Sequence, residues 1–373
     1  MSIYIKLNVA EAFRLPSLDL LLEKKWRSKD LRTIVFPGLL KCFRNSFYWI
    51  ALCGLLVLVV LSSQAHADEK VFRKASFIPQ WVPQAQFAGY YVAYEKGFYR
   101  DNNIDLTIIA GGPSAPADEL LKTGNADFAT LWLSSAISMR SNGVCLINIA
   151  QMIQRSALML VTMKSSNIVS PQDMAGKKVG LWKDLFKVQA NALFSKYGIE
   201  IHPVRQSYSI NLFLRGGVDV ASAMWYNEYH TILNTGINAD ELTTFFFYDY
   251  GLNFPEDGIY VLEDTYEKDP MLCSDFVTAS IRGWEYAFEH PEEALDIIMT
   301  HIKNAYIPAT RVHQRWMLKK IQALMIPKKK SVLMGQLRAD DYSRVSQALI
   351  DSEMIRYIPE FSKFYREVIG YEK

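Results

Sequence analysis

The sequence predicts an α/β protein of two lobes, each built on a mainly parallel sheet, joined by a hinge of two crossings and finished by a helical C-terminal part. Three observations predict this. Short apolar runs rich in β-branched residues alternate with segments of helical period. The chain has 373 residues, more than one ordinary core accommodates. The alternation occurs as two successive series, with the strands Ala157–Met163 and Ile259–Leu262 placed where one series gives way to the next. Two crossings make a hinge, and two lobes on a hinge make a cleft.

In chain order, the first strand lies near Phe72–Ile78. A helix follows at Gln86–Lys96, with Phe87, Tyr90, Tyr91 and Tyr94 spaced for one face and Gly97 placed to stop it. Ile104–Ile109 is a strand, closed by the turn Gly111-Gly112-Pro113-Ser114. Asp118–Thr123 is helical, ends at Gly124, and leads to the strand Phe128–Leu131. Ser134 is placed to cap the next helix, and Leu146–Gln151 is a further strand. The second series reads as strand Val179–Leu181, helix Val188–Tyr197, strand Val218–Met224, helix Trp225–Leu233 and strand Thr243–Tyr248. From Leu262 onward the pattern is helical, with Pro291 at a helix start.

A leader precedes all this. Residues 47–61 carry no charge, follow Lys41 and Arg44, and give way to Ala65-His66-Ala67 and then Asp68-Glu69-Lys70. Fifteen apolar residues fall short of a comfortable membrane span. With a small-x-small site behind them they read as a secretory signal cleaved after Ala67. If the signal were kept, it would leave the protein anchored. Residues 1–45 exceed a usual signal start. A start codon set too early, with translation beginning near Leu40, is preferred to a genuine cytoplasmic tail. Cys53 sits too early in the apolar run for lipid attachment.

Removing residues 1–67 takes 9 of the 41 basic and 4 of the 39 acidic side chains and leaves a net charge of −3. No basic surface for nucleic acid is implied, and Lys328-Lys329-Lys330 after Pro327 reads as a solvated loop. Two cysteines remain, Cys145 and Cys273, without CxxC spacing. A single disulfide stays open, but two separately buried thiols are the simpler reading.

No HExxH, GxSxG, GxGxxG or P-loop pattern occurs. His202, His230, His290, His301 and His313 are scattered without partners at ligand spacing, and His313 reads as a surface helix residue. Neither a metal, a cofactor nor a catalytic triad is expected. The stronger signal is aromatic rings beside amides and carboxylates in three segments: Gln80–Phe87, Trp225–Tyr229 and Tyr248–Asp257. Two follow strands and the third precedes one, and open sheets take ligands at the carboxyl ends of their strands. Rings that stack, with amide and carboxylate edges, suit a flat polar heterocycle. Any one of these aromatics can be core, but loops this polar do not all bury easily. For Ser134-Ser135 and for Ser114, ordinary capping is the simplest reading.

Certain residues also form a recognisable set. Trp81-Val82-Pro83-Gln84-Ala85-Gln86-Phe87-Ala88-Gly89-Tyr90-Tyr91-Val92-Ala93 with Glu95-Lys96-Gly97-Phe98-Tyr99 resembles the opening of periplasmic ABC-transporter solute-binding proteins that capture thiamine-pyrimidine precursors. Sulfonate- and taurine-binding proteins and the fungal thiamine-pyrimidine synthase belong to the same broad family. Gly111–Ser114, Gly124–Phe128, Asn148–Gln151, Gly176–Gly180, Tyr226–Tyr229 and Phe254–Gly258 extend the resemblance over about residues 72–263.

The resemblance implies a type II periplasmic-binding-protein fold, with residues 68–163 and 259–373 in lobe 1 and 164–258 in lobe 2. It implies a monomer that delivers an aminopyrimidine-like ligand to an ABC permease and its ATPase. Trp81, Tyr90 and Trp225 would be stacking walls, with Trp182 reaching the cleft. Glu228 would accept from an amino group or ring N–H. Asn227, Gln84, Asp184 and Asp257 would pair the other edges, with Ser134 at a helix start nearby. The synthase uses a lysine for pyridoxal phosphate and a histidine four residues on. Laid from Asp127, those positions hold Leu131 and Ser135. Its phosphate cradle falls near Lys183-Asp184-Leu185-Phe186, which has no glycine, and its cysteine cluster near Asn253–Gly258, which has no cysteine. A binding protein is therefore expected, with the synthase and a periplasmic ligand-sensing module as alternatives.

Overall fold

A computed structural model of the chain describes residues 71–326 and 333–368. The leader, its cleavage site and the Lys328–Lys330 triplet lie outside the described residues. Ten strands run along the described chain: β1 (Arg73–Ile78), β2 (Ile104–Ile108), β3 (Phe128–Leu131), β4 (Leu146–Ile153), β5 (Leu158–Met163), β6 (Lys178–Leu181), β7 (His202–Arg205), β8 (Val220–Met224), β9 (Leu242–Phe246) and β10 (Glu256–Leu262). They form two five-stranded sheets, ordered β2-β1-β3-β10-β4 and β7-β6-β8-β5-β9.

Both sheets are mainly parallel as expected, each with one antiparallel strand among its five. β1 pairs parallel with β2 and β3, while β10 runs antiparallel between β3 and β4. β6 pairs parallel with β7 and β8, while β5 runs antiparallel between β8 and β9. The exceptions share a cause. β5 and β10 are the strands that arrive from the other sheet. Each starts beside the carboxyl ends of its new neighbours, Leu158 opposite Met224 and Gly258 opposite Leu131, and so runs against them.

The chain therefore passes between sheets at 154–157 and 251–255. The strands expected as crossings, Ala157–Met163 and Ile259–Leu262, lie inside the sheets instead. Side chains satisfy the backbone left without a ladder there. Asn253 accepts from the Ser156 N–H (3.0 Å) and donates to the Gln154 carbonyl (3.0 Å). Glu256 Oε1 accepts from the Ser156 hydroxyl (3.0 Å) and the Ala157 N–H (2.7 Å). The strand that sequence reading missed, β7, is an exposed His-Pro-Val-Arg edge without apolar alternation.

The described helices of six residues or more are α1 (Ala88–Glu95), α2 (Ala117–Lys122), α3 (Leu133–Ser141), α4 (Val188–Tyr197), α5 (Glu228–Leu233), α6 (Glu263–Lys268), α7 (Pro270–Glu289), α8 (Pro291–Asn304), α9 (Arg311–Met325) and α10 (Ala339–Asp351). The segment Trp225–Asn227, expected as helix, is the turn before α5. α1 buries Tyr90 and Tyr91, but Tyr94 is 42% exposed and off the predicted apolar face. Ser134 is not a cap: α3 starts at Leu133 behind an extended Trp132. Cys145 is exposed and Cys273 buried, both free, so only one of the two thiols is core.

α1 and α7 touch backbone to backbone. A Cβ on Gly283 would lie 2.2 Å from the Gly89 carbonyl oxygen, and one on Gly89 would lie 2.2 Å from the Trp284 ring. Gly283→Ala must push the two helices apart. The expected cost is about 1–3 kcal/mol, read as a lower midpoint in thermal denaturation.

Candidate functional site

The carboxyl ends of β1, β3, β6 and β8 and the starts of β5 and β10 meet between the sheets. Asp257 is the anchor on the first sheet. It is 2% exposed and has φ +49, a left-handed conformation an aspartate tolerates better than most residues. Its Oδ1 accepts from Gln80, and its Oδ2 from Gln86 at 2.7 Å. Gln84 donates to Gln86 Oε1 at 2.5 Å, which ties the post-β1 loop into one amide chain ending on the carboxyl. Burial pushes Asp257 up to about 7, against the pull of Gln86 and Gln80.

Its neighbour Glu256 is also 2% exposed. Adjacent strand residues normally face opposite ways. Here the turned backbone at Asp257 leaves both carboxyls buried. Glu256 Oε1 stitches the crossing described above, and Oε2 has no hydrogen-bond partner. Burial, then the Asp257 charge, pushes Glu256 up to about 8. Glu256 lines a recess with Ser134, Trp132, Phe186, Gln189 and Phe254. Rings from opposite sheets meet at its rim, Trp132 edge-on to Phe186 at 4.6 Å. A second such pair is Trp81 with Tyr208, at 5.0 Å and 61°.

Glu228 comes from the second sheet, at the start of α5. It is 7% exposed. Its Oε2 accepts from the Met224 N–H and its Oε1 from the Asn227 amide, each at 2.9 Å. Burial raises it to about 7 despite these donors. The phenol of Tyr226 feels the charges of both sides. Burial holds it well above its usual value, and so do the charges of Glu256, Asp257 and Glu228 in that order. Among the described residues none of the three carboxyls is in an ion pair. Buried carboxyls without a fixed cation favour a guest that brings N–H donors or positive charge.

The residues expected at the site divide. Trp81, Gln84, Ser134, Asn227, Glu228 and Asp257 lie on the segments just described. Trp182 is buried, gives its Nε1–H to the Ser207 carbonyl (3.1 Å), and backs Phe186 edge-on at 6.3 Å. Tyr90 packs its ring on Phe77 (4.7 Å) and Trp284 (5.7 Å), because the α1 face that carries it turns inward, and burial and then the Asp257 charge hold its phenol well above the usual value. Trp225 is a correction, since its ring lies against Phe246 (5.5 Å) and under Lys320 (4.1 Å). Asp184 is another: its side chain is 73% exposed and pairs with Lys183. Glu256, Gln86, Tyr226, Gln189, Phe186 and Tyr208 were not singled out. An acid pair opening an apolar strand, Glu256-Asp257 before Gly258-Ile259-Tyr260, was the available signal for the first of them.

The family model described as NMT1/THI5 like matches residues 84–294. A formylaminopyrimidine-binding protein of Halalkalibacterium halodurans is 21% identical over 266 residues, covering 69% of this chain and 79% of that protein. A 4-amino-5-hydroxymethyl-2-methylpyrimidine phosphate synthase of Legionella pneumophila is 27% identical over 241 residues, covering 60% of this chain and 72% of that protein. Among solved structures, the periplasmic aliphatic sulphonate binding protein of Escherichia coli shares the fold with a TM-score of 0.61 at 14% identity, covering 78% of this chain and 96% of the other.

Proposed function

Because this chain belongs to the NMT1/THI5-like family, we propose that it is a periplasmic solute-binding protein that captures an aminopyrimidine related to thiamine and passes it unchanged to an ABC permease and its ATPase. The observation that carries the reading is the set of three buried carboxyls, Glu228, Glu256 and Asp257, gathered about Tyr226 without a cation. An aminopyrimidine offers an exocyclic amine and ring nitrogens in one plane. Glu228 and Asp257 accept from its donors, Gln84 and Asn227 meet its remaining edges, and Trp81 with Tyr208 supplies an aromatic wall. Ser134 borders the recess that Glu256 faces, and Trp182 backs its Phe186. The name of the Halalkalibacterium relative agrees with this ligand class.

The Legionella relative favours a second reading, the synthase. The residues here do not fit its cofactor. Leu131 is a buried strand residue without an amine, and Ser135 has no imidazole. Lys183, two residues before the recess residue Leu185, is 62% exposed and ion-paired to Asp184. No step through pyridoxal phosphate follows from these side chains. An imine absorbance band on adding pyridoxal phosphate to the purified protein, lost on changing one lysine, would restore the synthase.

A thermal-shift panel of aminopyrimidines, flavins and alkanesulfonates tests the binding reading. An aminopyrimidine at about a hundred times its Kd should add about 2.7 kcal/mol of stability. A shift with alkanesulfonates alone would overturn the ligand class.

A further inference from the structure

Helix α9 touches both sides of the proposed site. Towards the first sheet, Gln314 Oε1 accepts from the Ala85 N–H (2.7 Å) and the Met317 sulfur from the Gln86 N–H (3.2 Å), which fixes the loop that holds Asp257. Towards the second sheet it presents His313, Trp316 and Lys320, spaced i, i+3 and i+7. Trp316 Nε1 donates to the Trp225 carbonyl at 3.0 Å, and its ring stacks on His230 at 4.7 Å and 17°. Lys320 lies 4.1 Å over both the Trp225 and Trp316 rings. His313 Nε2 meets Asn227 Oδ1 at 2.9 Å, and its Nδ1 meets His230 Nδ1 at 2.9 Å.

The donors in this chain follow from its two ends. Asn227 gives its amide N–H to Glu228, so its oxygen accepts from His313 Nε2–H. His230 Nδ1 also meets the Asn234 amide nitrogen at 3.2 Å, so it accepts, and the N–H of the His313–His230 contact belongs to His313 Nδ1. With an N–H on both ring nitrogens, His313 donates to Asn227 and to His230 at once.

We propose that α9 is the brace that holds the two sheets' lobes shut, and that His313 is a positioning residue that sets Asn227, and through it Glu228, only when they are shut. The part concerning Glu228 rests on the ligand reading above; the brace does not. Burial and Lys320 hold His230 below its usual range, and burial and His230 do the same to His313. The charged or titratable groups facing the pair are Glu228 on α5 and Lys320 on α9. Glu292 of α8 is engaged elsewhere, by Arg311 and Arg315. The loop Trp81–Phe87 and strand β4, which also pack on α9, carry no charge. Protonating His313 supplies a donor for each of its partners, and losing that proton sets two lone pairs against each other, which breaks the link to His230.

Small-angle scattering of the unliganded protein tests the brace at about pH 7.5 and about pH 5, the lower value chosen because burial holds the pair below the ordinary histidine range. The wild type should become more compact, reversibly, on acidification. His313→Gln, which keeps an N–H but cannot titrate, should scatter alike at both. His313→Phe should be expanded at both. Calorimetry with formylaminopyrimidine at the higher pH should show a tenfold or greater loss for His313→Phe and recovery in His313→Gln. Equal scattering of wild type and His313→Gln at the two pH values overturns the brace, even if His313→Phe fails to fold. Wild-type affinity in both variants overturns the positioning role. The scattering pattern as expected, with no pyrimidine bound by any form, removes the ligand reading and leaves the brace standing.

Discussion

Glu228→Gln is expected to weaken aminopyrimidine binding ten- to a hundredfold, about 1.5–3 kcal/mol. The change keeps the side-chain volume at a position only 7% exposed, so packing is preserved. It removes the charge that a ligand N–H would meet. It also places an N–H where the carboxyl accepts from either the Met224 N–H or the Asn227 amide, so two donors face each other. Calorimetry against 4-amino-5-hydroxymethyl-2-methylpyrimidine reads the loss, with the unliganded melting midpoint as the control for folding. Unchanged affinity would remove Glu228 from the site.

The second large effect is on pH dependence. Glu256 and Asp257 are raised from ordinary values of 4.5 and 3.8 to about 8 and about 7. Between about pH 4 and about pH 8 the folded state therefore holds more protons than the unfolded one, and stability falls as pH rises. The advantage is complete below the ordinary carboxyl range and is lost by about pH 8. Glu256→Gln removes the largest part. Its amide fills the place of an oxygen that had no partner, so little hydrogen bonding is lost. Urea denaturation of the unliganded protein at about pH 5 and about pH 8 should show the variant gaining about 2–4 kcal/mol on the wild type at the higher pH. The histidine pair contributes in the opposite sense below its ordinary range. That contribution is common to both proteins and cancels in the comparison. Identical pH slopes would mean that Glu256 is not held protonated.

Much of the architecture was legible because local periodicity carries it. The strands of both series and the long C-terminal helices follow from apolar spacing, and Gly97, at φ +76 just beyond α1, from its freedom to turn left-handed. What sequence spacing cannot give is the partner across the cleft. Trp225 looked like a ligand wall because it stands close to Asn227, yet it is covered by α9. His313 looked like a surface residue because its partners, Asn227 and His230, are 86 and 83 positions away. The crossings were placed one strand late because β5 and β10 read as strands, and spacing does not say which sheet a strand joins. Asp257 was found through its loop composition. Glu256, its neighbour, was passed over because strand alternation puts adjacent side chains on opposite faces, and the left-handed Asp257 breaks that rule.

The account stands most directly on one titration. The purified protein is mixed with 4-amino-5-hydroxymethyl-2-methylpyrimidine in a calorimeter, then unfolded, and the released small molecule is weighed by mass spectrometry. A saturable one-to-one heat and a recovered compound of unaltered mass are the predicted result. No heat with any aminopyrimidine, or recovery of a chemically altered product, would contradict it.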